Sequence, residues 1–261
     1  LAFRAFFSIL DLNRFKNSNG LHTNALYSFH RMFKSILDSE KPTHVLVAWD
    51  AGKTTFRTEM YADYKGGRSK TPGEFIEQMP YFNVLLDAWG IPHYRLNQYE
   101  ADDIIGTLAK EGEAAGYEVV VLSGDKDLIQ LADNNITVKI TTKGVTELVE
   151  YTPEVIFEKY GLTPEQIIDM KGLMGDSSDN YPGVTKVGEK TAVKLLQEFG
   201  SVEGIYEHVD EMKKSKLKEN LINDKELAFL SKKLARINVE SPLEITLEDT
   251  LRKEQDVEAL M

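Results

Sequence analysis

The chain has 261 residues, 42% hydrophobic and 28% charged, enough to bury a sizeable core as one large domain or as a domain with a small appendage. The absence of cysteine excludes disulfides and thiolate zinc sites and fits a reducing compartment. No apolar run reaches the ~18 residues of a membrane span, and Leu1-Ala2-Phe3-Arg4-Ala5-Phe6-Phe7 is too short, and charged in its middle, for a signal peptide. A net charge of −11 argues at first sight against a nucleic-acid partner, so the placement of the acids decides that question.

In chain order, strands and helices alternate. Residues 1–9 read as the inside of a helix with no start signal, as in a piece of a longer chain. Asn17-Ser18-Asn19-Gly20 is a turn, and 23–37 is an amphipathic helix. Val45-Leu46-Val47-Ala48-Trp49 has the unbroken apolar character of a buried parallel strand and ends in Asp50. Residues 52–73 are polar, basic and glycine-containing, and 74–89 is predicted as one helix stopped by Gly90. A short strand over 93–96 leads to a helix over 101–115. A second buried strand, 118–122, runs into Ser123-Gly124-Asp125-Lys126-Asp127, and a hairpin pairs 136–140 with 145–148. This alternation predicts an α/β fold with a mostly parallel central sheet flanked by helices.

After residue 150 the pattern is nearly all helix. Thr152-Pro153-Glu154 and Thr163-Pro164-Glu165-Gln166 each put Thr at the N-cap and Pro at the first helical position, the second with Gln in the capping-box position. The expected organisation is a core over 1–150, a helical subdomain over 151–240, and an acidic tail over 241–261 that ends without a stop signal.

The chemistry lies in the carboxylates. Asp50 ends one buried strand and Asp125 and Asp127 follow another, where open α/β sheets bind ligands. Glu100, Asp102 and Asp103 open the helix that follows a third strand. One acid there complements the helix dipole; three repel one another, and a cation relieves them. Asp176 and Asp179 lie between two helices of the second half. Any one of these groups alone is ordinarily a turn or cap residue. Together, oxygen donors without cysteine select magnesium or manganese over zinc, and eight carboxylates suit two ions. Two-metal sites, with ions about 3.5–4 Å apart, recur in phosphodiester cleavage. With these eight acids set aside, the net charge of −11 shrinks to −3, so the remaining surface is near neutral.

Two basic features complement them. Between Lys53 and Lys70 stand Arg57, Lys65 and Arg68, interleaved with Phe56, Tyr61 and Tyr64, either a solvated loop or a surface for single strands. Gly183-Val184-Thr185-Lys186-Val187-Gly188-Glu189-Lys190-Thr191 reads as a helix–hairpin–helix whose backbone amides and helix start can hold a phosphate without reading sequence.

Taken jointly, Leu1-Ala2-Phe3-Arg4, Asp50-Ala51, Phe56-Arg57, Tyr64-Lys65, Arg68, Tyr99-Glu100-Ala101-Asp102-Asp103, Ser123-Gly124-Asp125-Lys126-Asp127, Gly175-Asp176, Asp179-Asn180 and the 183–192 hairpin, in this order, resemble the 5′-nuclease domains of bacterial DNA polymerases I, within the flap-endonuclease family. The resemblance implies a PIN-like flap-nuclease fold. It implies that Asp50, Glu100, Asp102 and Asp103 serve a first Mg2+ or Mn2+, and Asp125, Asp127, Asp176 and Asp179 a second. Arg4, Lys65 and Arg68 contact the scissile phosphate, and residues 52–75 form an arch or clamp, with Arg57 and Tyr64 at the DNA. Gly183, Val184, Val187, Gly188, Lys190 and Thr191 grip duplex, with a K+ ion as a further expectation.

The implied substrates are DNA with 5′ flaps, nicks or branches and RNA-primer ends, cut by a monomer of the bacterial nucleoid with no membrane partner, in replication and repair. A polymerase domain beyond residue 261 is compatible with it. Family members begin with a strand ending in Asp-Gly, ahead of Leu1, and that Asp is a metal ligand. The sequence is accordingly expected to be a fragment, and a polypeptide starting at Leu1 to cleave weakly or not at all. The competing readings are a branched-DNA-binding module without cleavage and a metal-dependent ribonuclease, the latter disfavoured by the hairpin motif.

Overall fold

A computed structural model describes residues 1–142 and 147–261; Val145, expected in the second hairpin strand, lies outside the described residues. The chain opens with α1 (Ala2–Phe7) and α2 (Asn24–Glu40). Phe29, Met32, Phe33 and Leu37 recur at three- and four-residue spacing on α2, and all four are buried. β1 (Val47–Trp49) pairs in parallel with β2 (His93–Arg95), Ala48 opposite Tyr94. Between them lie α3 (Phe56–Met60), α4 (Gly73–Ile76) and α5 (Met79–Ala88).

One expectation fails here, that of a single helix over 74–89. The polar stretch contains α3, started by a capping box in which Thr55 and Thr58 exchange hydrogen bonds. The single helix over 74–89 is broken between α4 and α5. Pro80 stands in the first turn of the second piece, where its missing N–H cannot continue the hydrogen-bond ladder from α4. Gln78, at the break, is fully buried, and its side-chain Oε1 accepts the Ala25 N–H at 3.0 Å.

α6 (Ala101–Ala114) leads to β3 (Val119–Ser123), which pairs in parallel with β4 (Ile136–Thr141); β4 pairs antiparallel with β5 (Leu148–Tyr151). The described strands thus form a two-stranded and a three-stranded sheet. β3 is not buried on both faces: Val121 is 3% exposed and Val120 41%, the alternation of a strand covered on one side. The helical half contains α7 (Pro153–Tyr160), α8 (Pro164–Met174), α9 (Glu189–Phe199), α10 (Val202–His208), α11 (Lys216–Asn223) and α12 (Lys225–Ala235). Thr152 and Thr163 cap α7 and α8 as their spacing predicts, accepting N–H groups of Val155 and Gln166 at 3.3 Å.

One apolar core runs from Leu128, Ile136 and Val138 to Ile156, Ile167 and Leu196, so the helices from α7 onward are packed on β3 and β4. A second core gathers α1, α2 and α5 around Phe29, Phe82 and Leu86. Each large side chain buried in them contributes about 1.5–3 kcal/mol. The acidic tail is tied down as well. Thr250 O accepts from Val45 N at 2.8 Å, and Ala88 O accepts from Asp256 N at 2.8 Å, before α13 (Val257–Leu260). Among the described residues no helix is long and apolar enough to cross a membrane.

Candidate metal centre and nucleic-acid interface

The carboxylates converge because three strand-to-helix connections end at one cleft. Asp50, just past β1, accepts the N–H of Ala101 at 2.8 Å and so reaches the start of α6. Asp125, just past β3, caps the short helical turn over 126–131 by accepting from Asp127 N at 2.9 Å. Glu100, Asp102, Asp127 and Asp179 line the cleft with Tyr64, and its wall is closed by Leu234 and Ala235 at the end of α12.

Most of these acids already face a cation of the chain. Lys65, in the left-handed region at φ 57, donates its ammonium to Glu100, and Arg68 meets Asp179 at 2.6 Å. Lys171 on α8 bridges Asp127, at 2.8 Å, and Asp176. Among the described residues no three acidic or imidazole groups stand in coordination geometry, and basic side chains occupy Glu100, Asp179, Asp127 and Asp176. Burial opposes its charge, yet Asp127 and Asp176 hold the Lys171 ammonium above its usual range. Burial likewise opposes ionisation of Asp176, but Lys171 and Ser178 bring its carboxyl down to about 2.

Asp102 is the exception. Burial first, then Asp125, Glu100 and Asp50, push its carboxyl well above the usual range, and Lys65 only partly offsets them. Burial followed by Asp125 raises Asp127 as well. The cleft therefore keeps an excess of negative charge among oxygen donors, the chemistry that a hard divalent cation satisfies. Asp50, Glu100, Asp102, Asp125, Asp127, Asp176 and Asp179 fit such ions.

Five expected residues take other positions. Asp103, expected as a metal ligand, is fully buried, and its oxygens accept from Arg57 at 2.7 and 2.8 Å, Glu100 N at 3.1 Å and Asn238 N at 2.8 Å. Those donors occupy the carboxylate. Arg57, expected at the DNA, is 2% exposed, and it also donates to Glu100 at 2.5 Å and to the carbonyls of Leu234 and Arg236 at 3.0 and 2.7 Å. Val184 and Val187 are core side chains, 2% and 5% exposed. Even their N–H groups bond internally, to Leu173 O at 2.8 Å and Val184 O at 3.1 Å. Tyr64 is buried, with its hydroxyl 3.2 Å from Glu100 Oε2 and 3.5 Å from Asp179 Oδ2.

The outward groups are different ones. Arg4 is exposed and lies across Gly124, where an added Cβ would stand 2.5 Å from its Cδ, and it donates to Thr141 O at 2.5 Å. In the hairpin, Gly183 has φ 59 and faces Leu173 O so closely that a Cβ would stand 2.7 Å from it. Gly188 carries no such constraint: a Cβ there would meet nothing within 4 Å, and no side chain caps α9. The amides of that first turn and the exposed Lys190 face outward beside Thr191, which is half-buried. Nearby, an open cavity of about 260 Å3 is lined by Lys159, Lys190, Lys194, Glu189 and Gln197. Sequence reasoning missed Lys171, whose one signal is its place five residues ahead of Asp176 on the last turn of α8.

The comparisons with known proteins agree with this geometry. The family model for the 5′-3′ exonuclease N-terminal resolvase-like domain matches residues 1–161, and that for the 5′-3′ exonuclease C-terminal SAM fold matches residues 162–258. The chain is 62% identical over its whole length to DNA polymerase I of Lactococcus lactis subsp. cremoris and 59% identical over 95% of its length to that of Bacillus subtilis. It spans 30% and 28% of those relatives. Among solved structures it is similar to bacteriophage T5 5′-exonuclease with zinc bound, at a TM-score of 0.69 and 27% identity, over 81% of both chains. A bacteriophage T5 flap endonuclease in a complex with DNA and metal ions aligns at 0.70 and 26%, over 87% of this chain and 85% of that one. The catalytic core of Rad2, at 0.62 and 17% over 95% and 80%, shares the fold. A carboxylate cleft at strand ends, two successive family models and near-complete alignment to these relatives lead to one conclusion: the chain belongs to the 5′-3′ exonuclease family.

Proposed function

We propose that the chain is the structure-selective 5′ nuclease module of a DNA polymerase I, hydrolysing phosphodiester bonds at 5′ flaps and 5′ ends of DNA and of RNA primers with two Mg2+ or Mn2+ ions. The observation that carries this reading is the cleft in which Asp102 faces Asp125, Glu100 and Asp50 with only Lys65 as partial counter-charge, next to Asp179, Asp127 and Asp176, which are held by Arg68 and Lys171. Asp50, Glu100 and Asp102 hold one ion, and Asp125, Asp127, Asp176 and Asp179 the other. Divalent ions bound there supply charge neutralisation and an activated water for the hydrolysis.

The protein's own part is positioning. Lys65 and Arg68 face Glu100 and Asp179, and would be free to hold the scissile phosphate where divalent cations neutralised those carboxylates. Arg4, exposed beside Gly124, approaches the phosphate from α1. The N-terminal amides of α9 with Lys190 hold the backbone of the downstream duplex, with K+ as a further ligand of the hairpin. This reading places a monomeric nuclease module at the bacterial nucleoid, joined to polymerase.

The test is a 5′-flap duplex incubated with Mg2+, with Mg2+ plus EDTA, and with an Asp176→Asn chain. The expected result is cleavage in Mg2+, none in EDTA, and a loss of about 100-fold or more in the variant. Cleavage untouched by both changes overturns the two-metal reading. Flap binding with no cleavage in Mg2+ leaves a branched-DNA-binding module instead.

A further inference from the structure

Tyr181 stands two residues beyond Asp179 and is paired through its backbone with Asp176, each N–H donating to the other's carbonyl at 3.0 Å. Its side chain is 3% exposed, packed with Tyr64, Ile168 and Leu234, and its ring lies nearly parallel to that of Tyr64, 19° apart with centroids at 6.5 Å. The hydroxyl is buried and, among the described residues, has no hydrogen-bond partner. A buried hydroxyl without a partner costs about 1–3 kcal/mol, and an apolar neighbourhood of this kind accepts phenylalanine without that cost. The stacked neighbour shows the contrast: the Tyr64 hydroxyl reaches Glu100 and Asp179.

Tyr181 is nonetheless tied to the acidic cleft, through its backbone pair with Asp176 and its stack on Tyr64, which lines the cleft. In the structure Lys171 occupies Asp127 and Asp176 from α8. A cation held by those carboxylates would take the place of that ammonium, and would leave a carboxylate lone pair or a water free for a nearby donor such as the Tyr181 hydroxyl.

We propose that Tyr181 is a positioning residue of the second metal site: its buried hydroxyl becomes hydrogen-bonded, to Asp127, Asp176 or a water they hold, only when a divalent cation is bound. The inference rests on the two-metal reading above and adds a residue to it. Outer donors of this kind orient metal ligands, and their removal costs about 10–100-fold in metal affinity.

The experiment compares the chain with its Tyr181→Phe variant, which keeps the ring and the stack on Tyr64. Mn2+ binding is measured by titration calorimetry, and thermal melts are run with and without Mn2+. The expected variant melts about 2–4 °C higher without metal, having lost an unpaired hydroxyl. It binds the weaker-held Mn2+ about 10-fold less tightly, so its metal-induced rise in Tm is smaller than that of the parent. A purely structural role shifts both melts equally and leaves the Mn2+ affinities equal, which overturns the inference while the two-metal reading stands. Failure of the parent chain to bind Mn2+ removes that reading and this inference with it.

Discussion

The first turn of α6 carries two adjacent aspartates with opposite fates. Asp103 points into a hub where one guanidinium, two backbone amides and no solvent meet its oxygens. Asp102, its neighbour, faces the cleft among Asp125, Glu100 and Asp50, with Lys65 as a partial counter-charge. The hub is balanced and joins α3, α6 and the segment after α12 through Arg57. The cleft is unbalanced. A carboxylate whose partners are all internal holds the fold; one whose charge is left over marks where an external cation is needed.

Substitutions can break this contrast from either side. Removing one partner from the hub has the largest expected effect. Arg57→Met leaves Asp103 buried without a counter-charge and lowers stability by about 3–5 kcal/mol, measured by urea unfolding without metal; Asp103→Asn, after which Arg57 still meets Glu100, lowers it by less. Asp102→Asn has the opposite sign: it relieves repulsion and raises metal-free stability by on the order of 1 kcal/mol, while flap cleavage in Mg2+ is lost. If both substitutions destabilise alike, the distinction between hub and cleft is wrong.

A smaller effect comes from a site remote from both. His30 stacks on Trp89 with ring centroids 4.9 Å apart, and burial followed by Lys34 lowers its pKa below 6.5. The fold prefers the neutral imidazole, so its contribution is complete above about pH 6.5 and is lost as pH falls through the lowered folded-state value. Melts between pH 7.5 and 5.5 should therefore fall less steeply for His30→Gln than for the parent; equal slopes exclude this origin.

The sequence made legible what local chemistry encodes. Thr163 and Gln166 form the capping box they predict, and Asp50, Asp125 and Asp127 stand at strand ends as apolar runs followed by acids imply. Long-range pairing was not legible. Nothing within a few residues of Arg57 announces that its partners are Asp103 and the carbonyl of Leu234. For the same reason a basic stretch that reads as DNA-facing turned its Arg57 and Tyr64 inward. The two valines of the hairpin were misread because a motif shows which residues recur, while burial shows which atoms are free. Lys171 escaped notice because a lysine near a helix end ordinarily serves the dipole.

The clasp between α8 and α9 sets a length scale. Gly175 and Gly183 let two backbones cross so closely that a Cβ on Gly175 would stand 2.6 Å from Pro182, and the Asp176–Tyr181 pair locks the loop between them. The acids on one side of that crossing and the start of α9 on the other are thus joined through one close-packed backbone crossing. On the proposed reading, the clasp is a ruler: the distance from the gripped duplex to the cut is set by protein backbone, whatever bases lie between.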